Sequence, residues 1–198
     1  MNVLLSTTYF GPVQWYQKLN RADEAWIERQ ETFQKQTYRN RCLIATTQGV
    51  QALTVPVDRS SAVQIKDVRI SDHGDWRRLH WNALQSAYGE SPFFEYYEDD
   101  LRPFFERRWT FLLDFNEEIR QKVCELIDLR PSVRYTEEYV RNTTGDYRDA
   151  IQPKHPSPDA DFQPRPYYQV YRQKHGFLPN LSILDLLLNM GPEAIFWL

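Results

Sequence analysis

The chain has 198 residues, a formal net charge of −3 and 15% aromatic side chains. This length suits one packed domain, so we expect residues 1–198 to form a single unit whose burial depends largely on aromatic rings. The slightly acidic balance excludes a large basic surface of the kind that binds duplex nucleic acid.

The first part of the chain is predicted to form strands around one helix. Short apolar or alternating runs predict strands at 3–7, 25–28, 42–47, 51–57 and 65–70. Pro12 follows the first strand and opens a helix with a rough apolar face. Gly49 marks the turn between the third and fourth strands.

From residue 75 onwards the pattern becomes mainly helical. Helices are predicted at 76–88, from Ser91 to Pro103, at 116–129 and at 183–190. Ser182 is the expected N-cap of the last helix, and Asp185 has the spacing of a capping box. FLLD at 111–114 predicts one further strand.

Residues 145–166 carry five prolines and no periodic pattern, which predicts an irregular proline-rich loop. Together with the elements on either side of it, this loop completes the expected architecture. We predict an α/β fold, a single domain with a central mixed sheet flanked by helices and a helical second half.

Several common functional motifs are absent. The chain has no GxGxxG, GxxxxGK[ST] or GxSxG, and its four histidines lack metal-ligand spacing, so we expect no metal and no cofactor. Cys42 and Cys124 lie far apart and form no CxxC, which indicates reduced, buried thiols. The N-terminus lacks the pattern of a signal peptide and no apolar run could span a bilayer, so a cytoplasmic protein is expected.

The turn TTYFGP connects the first predicted strand to the first predicted helix. Backbone N–H groups at that helix start could bind an anionic group, with Thr7 and Tyr9 beside it. The alternative is an ordinary turn with no ligand.

Residues 31–42 form the most polar stretch that leads into a core strand. Lys35, Arg39, Asn40 and Arg41 are therefore predicted substrate-binding residues at the mouth of that strand. An arginine there can hold a carboxylate or phosphate through two parallel hydrogen bonds. The alternative is that the arginines pair with Glu28 or Glu31, or lie in solvent.

His80 falls on the apolar face of the predicted helix 76–88, so it is expected to be at least half buried. An imidazole is also the best general base that the chain offers, which makes His80 the candidate catalytic residue. The alternative is a neutral core histidine. Tyr88 and Ser91 flank the break at Gly89 and are predicted to face a cleft.

Five blocks in chain order resemble the WbqC-like protein family. They are TTYFGPVQWY, FQKQTYRNRCLI, LTVPV, HWNALQSAYGESPFF and FLPNLSILDLLLNMGPEA. Many members have Gln-Pro where this chain has Thr7–Thr8, and an aspartate near the end of the second strand. At the latter position the resemblance implies that Glu28 or Glu31 substitutes.

The resemblance implies a role in surface polysaccharide (O-antigen) biosynthesis, as a transferase of an acyl or aminoacyl group to an amino sugar. Under that hypothesis His80 accepts the proton of the attacking amine, while Arg39 and Arg41 hold an anionic donor. The partners would then be a small-molecule donor and an amine acceptor. The alternative is a non-catalytic module that binds a nucleotide-sugar or a partner protein.

Overall fold

The structure, a computed structural model, describes residues 1–58 and 64–198. Its strands in those ranges are β1 (Asn2–Ser6), β2 (Glu24–Glu28), β3 (Arg41–Thr46), β4 (Gly49–Thr54) and β5 (Val133–Tyr135). Its α-helices there are α1 (Val13–Arg21), α2 (Trp76–Tyr88), α3 (Phe94–Leu101), α4 (Pro103–Glu106), α5 (Leu112–Leu126), α6 (Arg172–His175) and α7 (Ile183–Met190). The predicted α/β class is confirmed, and helices dominate the second half.

A small parallel sheet forms one side of the fold, with strand order β1-β2-β5. Leu5 lies opposite Ile27, and both side chains are fully buried. Parallel neighbours cannot be joined by a tight turn, and α1 provides the crossover between β1 and β2. The backbone of Leu4 also bonds Gly145 and Tyr147 on the other edge of β1. The carboxyl ends of β1 and β2 thus lie side by side.

The antiparallel pair β3-β4 forms a separate sheet, so the described strands divide between two sheets. The reason lies at the free edge of β3. There the carbonyl of Leu43 accepts from Ser182 N over 2.8 Å, and the N–H of Ala45 donates to the Tyr88 hydroxyl over 3.2 Å. Because helix-borne groups occupy these backbone sites, no further strand can pair with β3.

Two predicted strands are wrong. Residues 65–67 form a short 3-10 helix, and the residues that follow make only isolated bridges at Arg69 and Ile70. Residues 112–114 are the first turn of α5. Both segments are short, and a short run of apolar residues fits a strand, a turn or a helix. Their tertiary contacts, which the sequence pattern does not show, decide between these conformations.

The predicted helices 76–88 and 183–190 are confirmed, as is the Ser182 cap, whose hydroxyl accepts from Leu184 N over 3.2 Å. Within residues 1–58 and 64–198, no helix is both long enough and apolar enough to cross a membrane.

Residues 145–166 contain turns and extended chain but no helix or strand of their own. The Nζ atom of Lys18 on α1 contacts Asp159 at 2.8 Å, and both side chains are almost completely buried. Gln14 on the same helix donates to Asp159 over 2.9 Å. This segment is therefore attached to α1 through a buried ion pair.

Candidate functional site

A surface hollow of about 560 Å³ lies where the turn before β3 meets the end of β4. Its polar lining consists of Lys35, Gln36, Asn40, Arg41, Thr54, Asp58, Ser71 and His73. Phe33, Val55, Pro56 and Val57 supply an apolar wall. The hollow thus combines apolar surface with a few polar groups, as small-molecule sites do.

The turn that precedes β3 places these polar groups. Gln36 has a positive φ of 60°, and the Thr37 hydroxyl donates to Gln34 O over 2.8 Å. Tyr9 N donates to Tyr38 O over 2.9 Å and fastens the turn to the loop after β1. The chain becomes extended only at Arg41, where β3 begins.

Positive charge dominates the rim of the hollow. Arg41 donates through Nε to the Thr54 hydroxyl over 3.1 Å, which fixes the direction of its guanidinium. Within the described ranges, neither Arg41 nor Lys35 forms an ion pair. Two cations that form no ion pair with the described residues therefore line the same hollow, together with Asp58 and His73.

Asn40 occupies a special position in this lining because it is only 6% exposed. Its amide nitrogen donates to Val55 O over 2.9 Å, and Val55 N donates back to Asn40 O over 2.7 Å. Its amide oxygen is buried and has no hydrogen-bond partner in the part of the chain that is described.

The proline-rich segment 145–166 reaches the same rim. The Nζ atom of Lys154 donates to the side-chain oxygen of Gln36 over 2.8 Å. Since Gln36 lines the hollow, this segment borders the site.

Arg39 does not line the hollow. Its guanidinium is buried and donates to both carboxylate oxygens of Glu31, over 2.8 and 2.7 Å. It also donates to the Ser6 hydroxyl over 2.9 Å, which in turn donates to Glu31 over 3.2 Å. Arg39 thus forms an ion pair with Glu31, which was the alternative to substrate binding in the sequence analysis. The pair lies at the carboxyl ends of β1 and β2.

His80 does not line the hollow and is only 6% exposed. Its Nδ1 is 2.9 Å from the hydroxyl of Tyr9, and its ring packs edge-on against Trp76. Burial lowers the pKa of His80 to about 4, and a hydrogen bond with the backbone of Thr54 only partly opposes that shift. His80 is therefore a neutral core group near neutral pH, and its hydrogen bond to the backbone of Thr54 connects it to one residue of the hollow's lining.

The remaining predicted site residues also lie in the interior. Thr7 is fully buried, and its hydroxyl has no partner within the described residues. The Ser91 hydroxyl also has no partner within the described residues, and Ser91 is 8% exposed. Tyr9 contacts His80, as described above. None of these residues, nor Tyr88, is part of the hollow's lining. The structure thus brings together Lys35, Asn40 and Arg41 and separates them from the other candidates.

The predicted capping box at Asp185 is wrong, because Ser182 N donates to Leu43 O. The Asp185 carboxylate instead forms a buried acidic centre on α7 that sequence reasoning missed. Asp185 accepts hydrogen bonds from the Tyr88 hydroxyl over 2.9 Å, the Tyr167 hydroxyl over 2.7 Å and Gln169 Nε2 over 2.8 Å. Burial raises the pKa of Asp185, and these three donors oppose the rise. A lone carboxylate inside the apolar run ILDLLL was the available signal. Its position in the core indicates a structural role for Asp185.

Metal binding receives no support within the described ranges, where no group of three or more His, Cys, Asp or Glu side chains could hold an ion. Cys42 and Cys124 are both buried and free. Burial raises the pKa of the Cys124 thiol to about 11, so neither the geometry nor the protonation state favours a nucleophilic cysteine.

The profile of the WbqC-like protein family matches residues 7–153 and 157–196, nearly the whole chain. An uncharacterized protein of Mycobacterium tuberculosis, Rv1507c, is 28% identical over 199 residues. That similarity covers 87% of this chain and 86% of the mycobacterial protein. No solved structure matches the chain.

Proposed function

The chain belongs to the WbqC-like protein family, and from that premise we propose that it binds an anionic small molecule in the hollow beside Arg41. The ligand's carboxylate or phosphate contacts Arg41 and Lys35. Two examples of such an anionic group are the phosphate of a nucleotide-sugar and the carboxylate of an acyl donor. The observation that carries the proposal is that Arg41 and Lys35, which form no ion pair within the described residues, both line one hollow.

The chemistry of these two side chains supports an anion. A guanidinium presents parallel N–H donors that match the oxygens of a carboxylate or phosphate, and a lysine adds a mobile point charge. Because Thr54 accepts from Nε of Arg41, the two terminal nitrogens remain for a ligand. The apolar wall of Val55, Pro56 and Val57 suits the non-ionic part of the same molecule.

A second candidate is transfer of an acyl or aminoacyl group onto an amino sugar of a surface polysaccharide (O-antigen). It is favoured by His73, a lining residue of the hollow whose imidazole could accept a proton. The amine nitrogen would bond to the acyl carbon, the bond to the leaving group would break, and the amine proton would pass to His73. This assigns the base to His73 instead of His80, because Tyr9 and Thr54 hold the buried His80 ring.

Ligand-dependent thermal stabilisation tests the binding function. A ligand present at 100 times its Kd should stabilise the protein by about 2.7 kcal/mol, which raises Tm by roughly 5–10 °C for a chain of this size. Nucleotide-sugars, acyl phosphates and amino acids are the compounds to screen.

Arg41→Gln and Lys35→Gln should each weaken binding about tenfold or more, whereas the exposed Arg130→Gln should bind as the wild type does. Unchanged affinity in both hollow variants would contradict the proposal. An amide product that forms with the wild type and is lost in His73→Gln, with ligand stabilisation retained, would establish the second candidate.

A further inference from the structure

Lys154 lies in the middle of a loop that is fastened to the rest of the fold on both sides. Before it, Tyr147 N donates to Leu4 O on β1 over 3.0 Å. After it, Asp159 forms the buried ion pair with Lys18 on α1. The position of the loop beside the hollow is therefore set by contacts with the first strand and the first helix.

The contact that Lys154 makes at the rim is exposed and involves no carboxylate. Its Nζ donates to the side-chain oxygen of Gln36, a lining residue, and both residues are exposed. Within residues 1–58 and 64–198, Lys154 forms no ion pair. A lysine carries its charge on a flexible stem with three donors. Lys154 can thus exchange the neutral amide of Gln36 for an anionic oxygen of a ligand.

Residues 154–156 also distinguish this chain from its family. The profile of the WbqC-like family matches the residues on either side of these three, but not the three themselves. The contact of Lys154 with Gln36 is therefore a feature that the profile does not describe. Variable loop residues beside a binding site commonly adapt that site to one ligand.

A third cation changes the charge of the ligand that fits. Arg41 and Lys35 line the hollow, and Lys154 contacts one of its lining residues. Among the described lining residues, Asp58 supplies the one carboxylate. Arg41 and Lys35 suit a single carboxylate or phosphate, whereas a third cation suits a second anionic group on the same molecule.

We infer that the hollow selects a diphosphate ester over a monophosphate or a carboxylate. One phosphoryl group lies on Arg41 and Lys35, and the second accepts a hydrogen bond from Nζ of Lys154. This inference rests on the anion-binding function proposed above and makes Lys154 a residue that determines ligand specificity.

Two probes that differ by one phosphoryl group test the inference: ethyl phosphate and ethyl diphosphate. Their affinities for the isotope-labelled full-length chain are measured by NMR titration in metal-free buffer at constant ionic strength, because salt screens such contacts. We expect the wild type to bind ethyl diphosphate about tenfold more tightly than ethyl phosphate. In Lys154→Gln the two affinities should agree within about twofold.

The matched control is Lys174→Gln. Lys174 also donates from Nζ to a neutral oxygen in an exposed contact, that of the Thr47 backbone, at the opposite end of the β3-β4 pair from Arg41. Its replacement removes the same charge away from the hollow, so the wild-type ratio of the two affinities should remain.

The outcomes separate this inference from the anion site itself. A preference for ethyl diphosphate that Lys154→Gln retains, or that Lys174→Gln also loses, would overturn the role of Lys154. Equal affinity of the wild type for both probes, weakened in Arg41→Gln, would overturn the diphosphate and leave a site for one anionic group. Failure of both probes to bind at millimolar concentration would contradict the anion-binding function as well.

Discussion

Replacing Arg39 by methionine removes one partner of a buried ion pair and leaves the carboxylate of Glu31 in the core. The two side chains are only 3% and 6% exposed and meet through two hydrogen bonds of 2.8 and 2.7 Å. In Arg39→Met, among the described residues, only the Ser6 hydroxyl, at 3.2 Å, would still donate to that carboxylate. Loss of one partner of such a pair costs about 3–5 kcal/mol, so Tm should fall by roughly 6–20 °C.

Urea and thermal unfolding followed by circular dichroism measure this loss. The matched control is Arg134→Met, which removes an ion pair to Glu24 whose arginine is 63% exposed, and it should cost no more than about 1 kcal/mol. The double variant Arg39→Met with Glu31→Leu should recover most of the stability, because no unpaired charge remains. An Arg39→Met protein that is as stable as the wild type but no longer binds ligand would refute this structural role.

Two further predictions concern buried groups elsewhere in the fold. The pKa of His80 is about 4 in the folded protein and 6.5 in the unfolded chain, so the free energy of unfolding should rise with pH between these two values. A pH series on His80→Gln should show a flatter rise. An unchanged slope would contradict this prediction. Lys18→Met leaves the buried Asp159 unpaired, so limited proteolysis within 153–166 should accelerate. Lys122→Met, at an exposed pair, is the control; equal rates in both variants would argue against anchoring by Lys18.

The sequence predicts elements well where caps and periodicity agree. The helix at 76–88 has apolar residues at helical spacing and a glycine at its end, and it forms between those residues. FLLD fails because a run of four residues fits a strand and a helix equally well. Leu112 and Phe115 lie three residues apart, which is a helical spacing, and both are fully buried. That both are buried on one face of α5 is visible only in the structure.

The separation of Arg39 from Arg41 shows why the site was harder to predict than the fold. Both arginines were expected at one mouth because they lie in the polar stretch that leads into the strand, and in an extended chain residues two apart do point to the same side. The positive φ of Gln36 starts a turn that continues through Asn40, and β3 begins only at Arg41. The alternation therefore does not apply across these three residues.

What then decides the direction of Arg39 is the buried carboxylate of Glu31, with the hydroxyl of Ser6 beside it. Ser6 is 33 residues away in the chain and comes close only because β1 and β2 lie side by side. Arg41 forms no ion pair with any of the described residues and lines the hollow beside Lys35. One guanidinium is thus used by the fold and the other lines the hollow, a division that follows from sheet topology and that no local pattern in YRNR encodes.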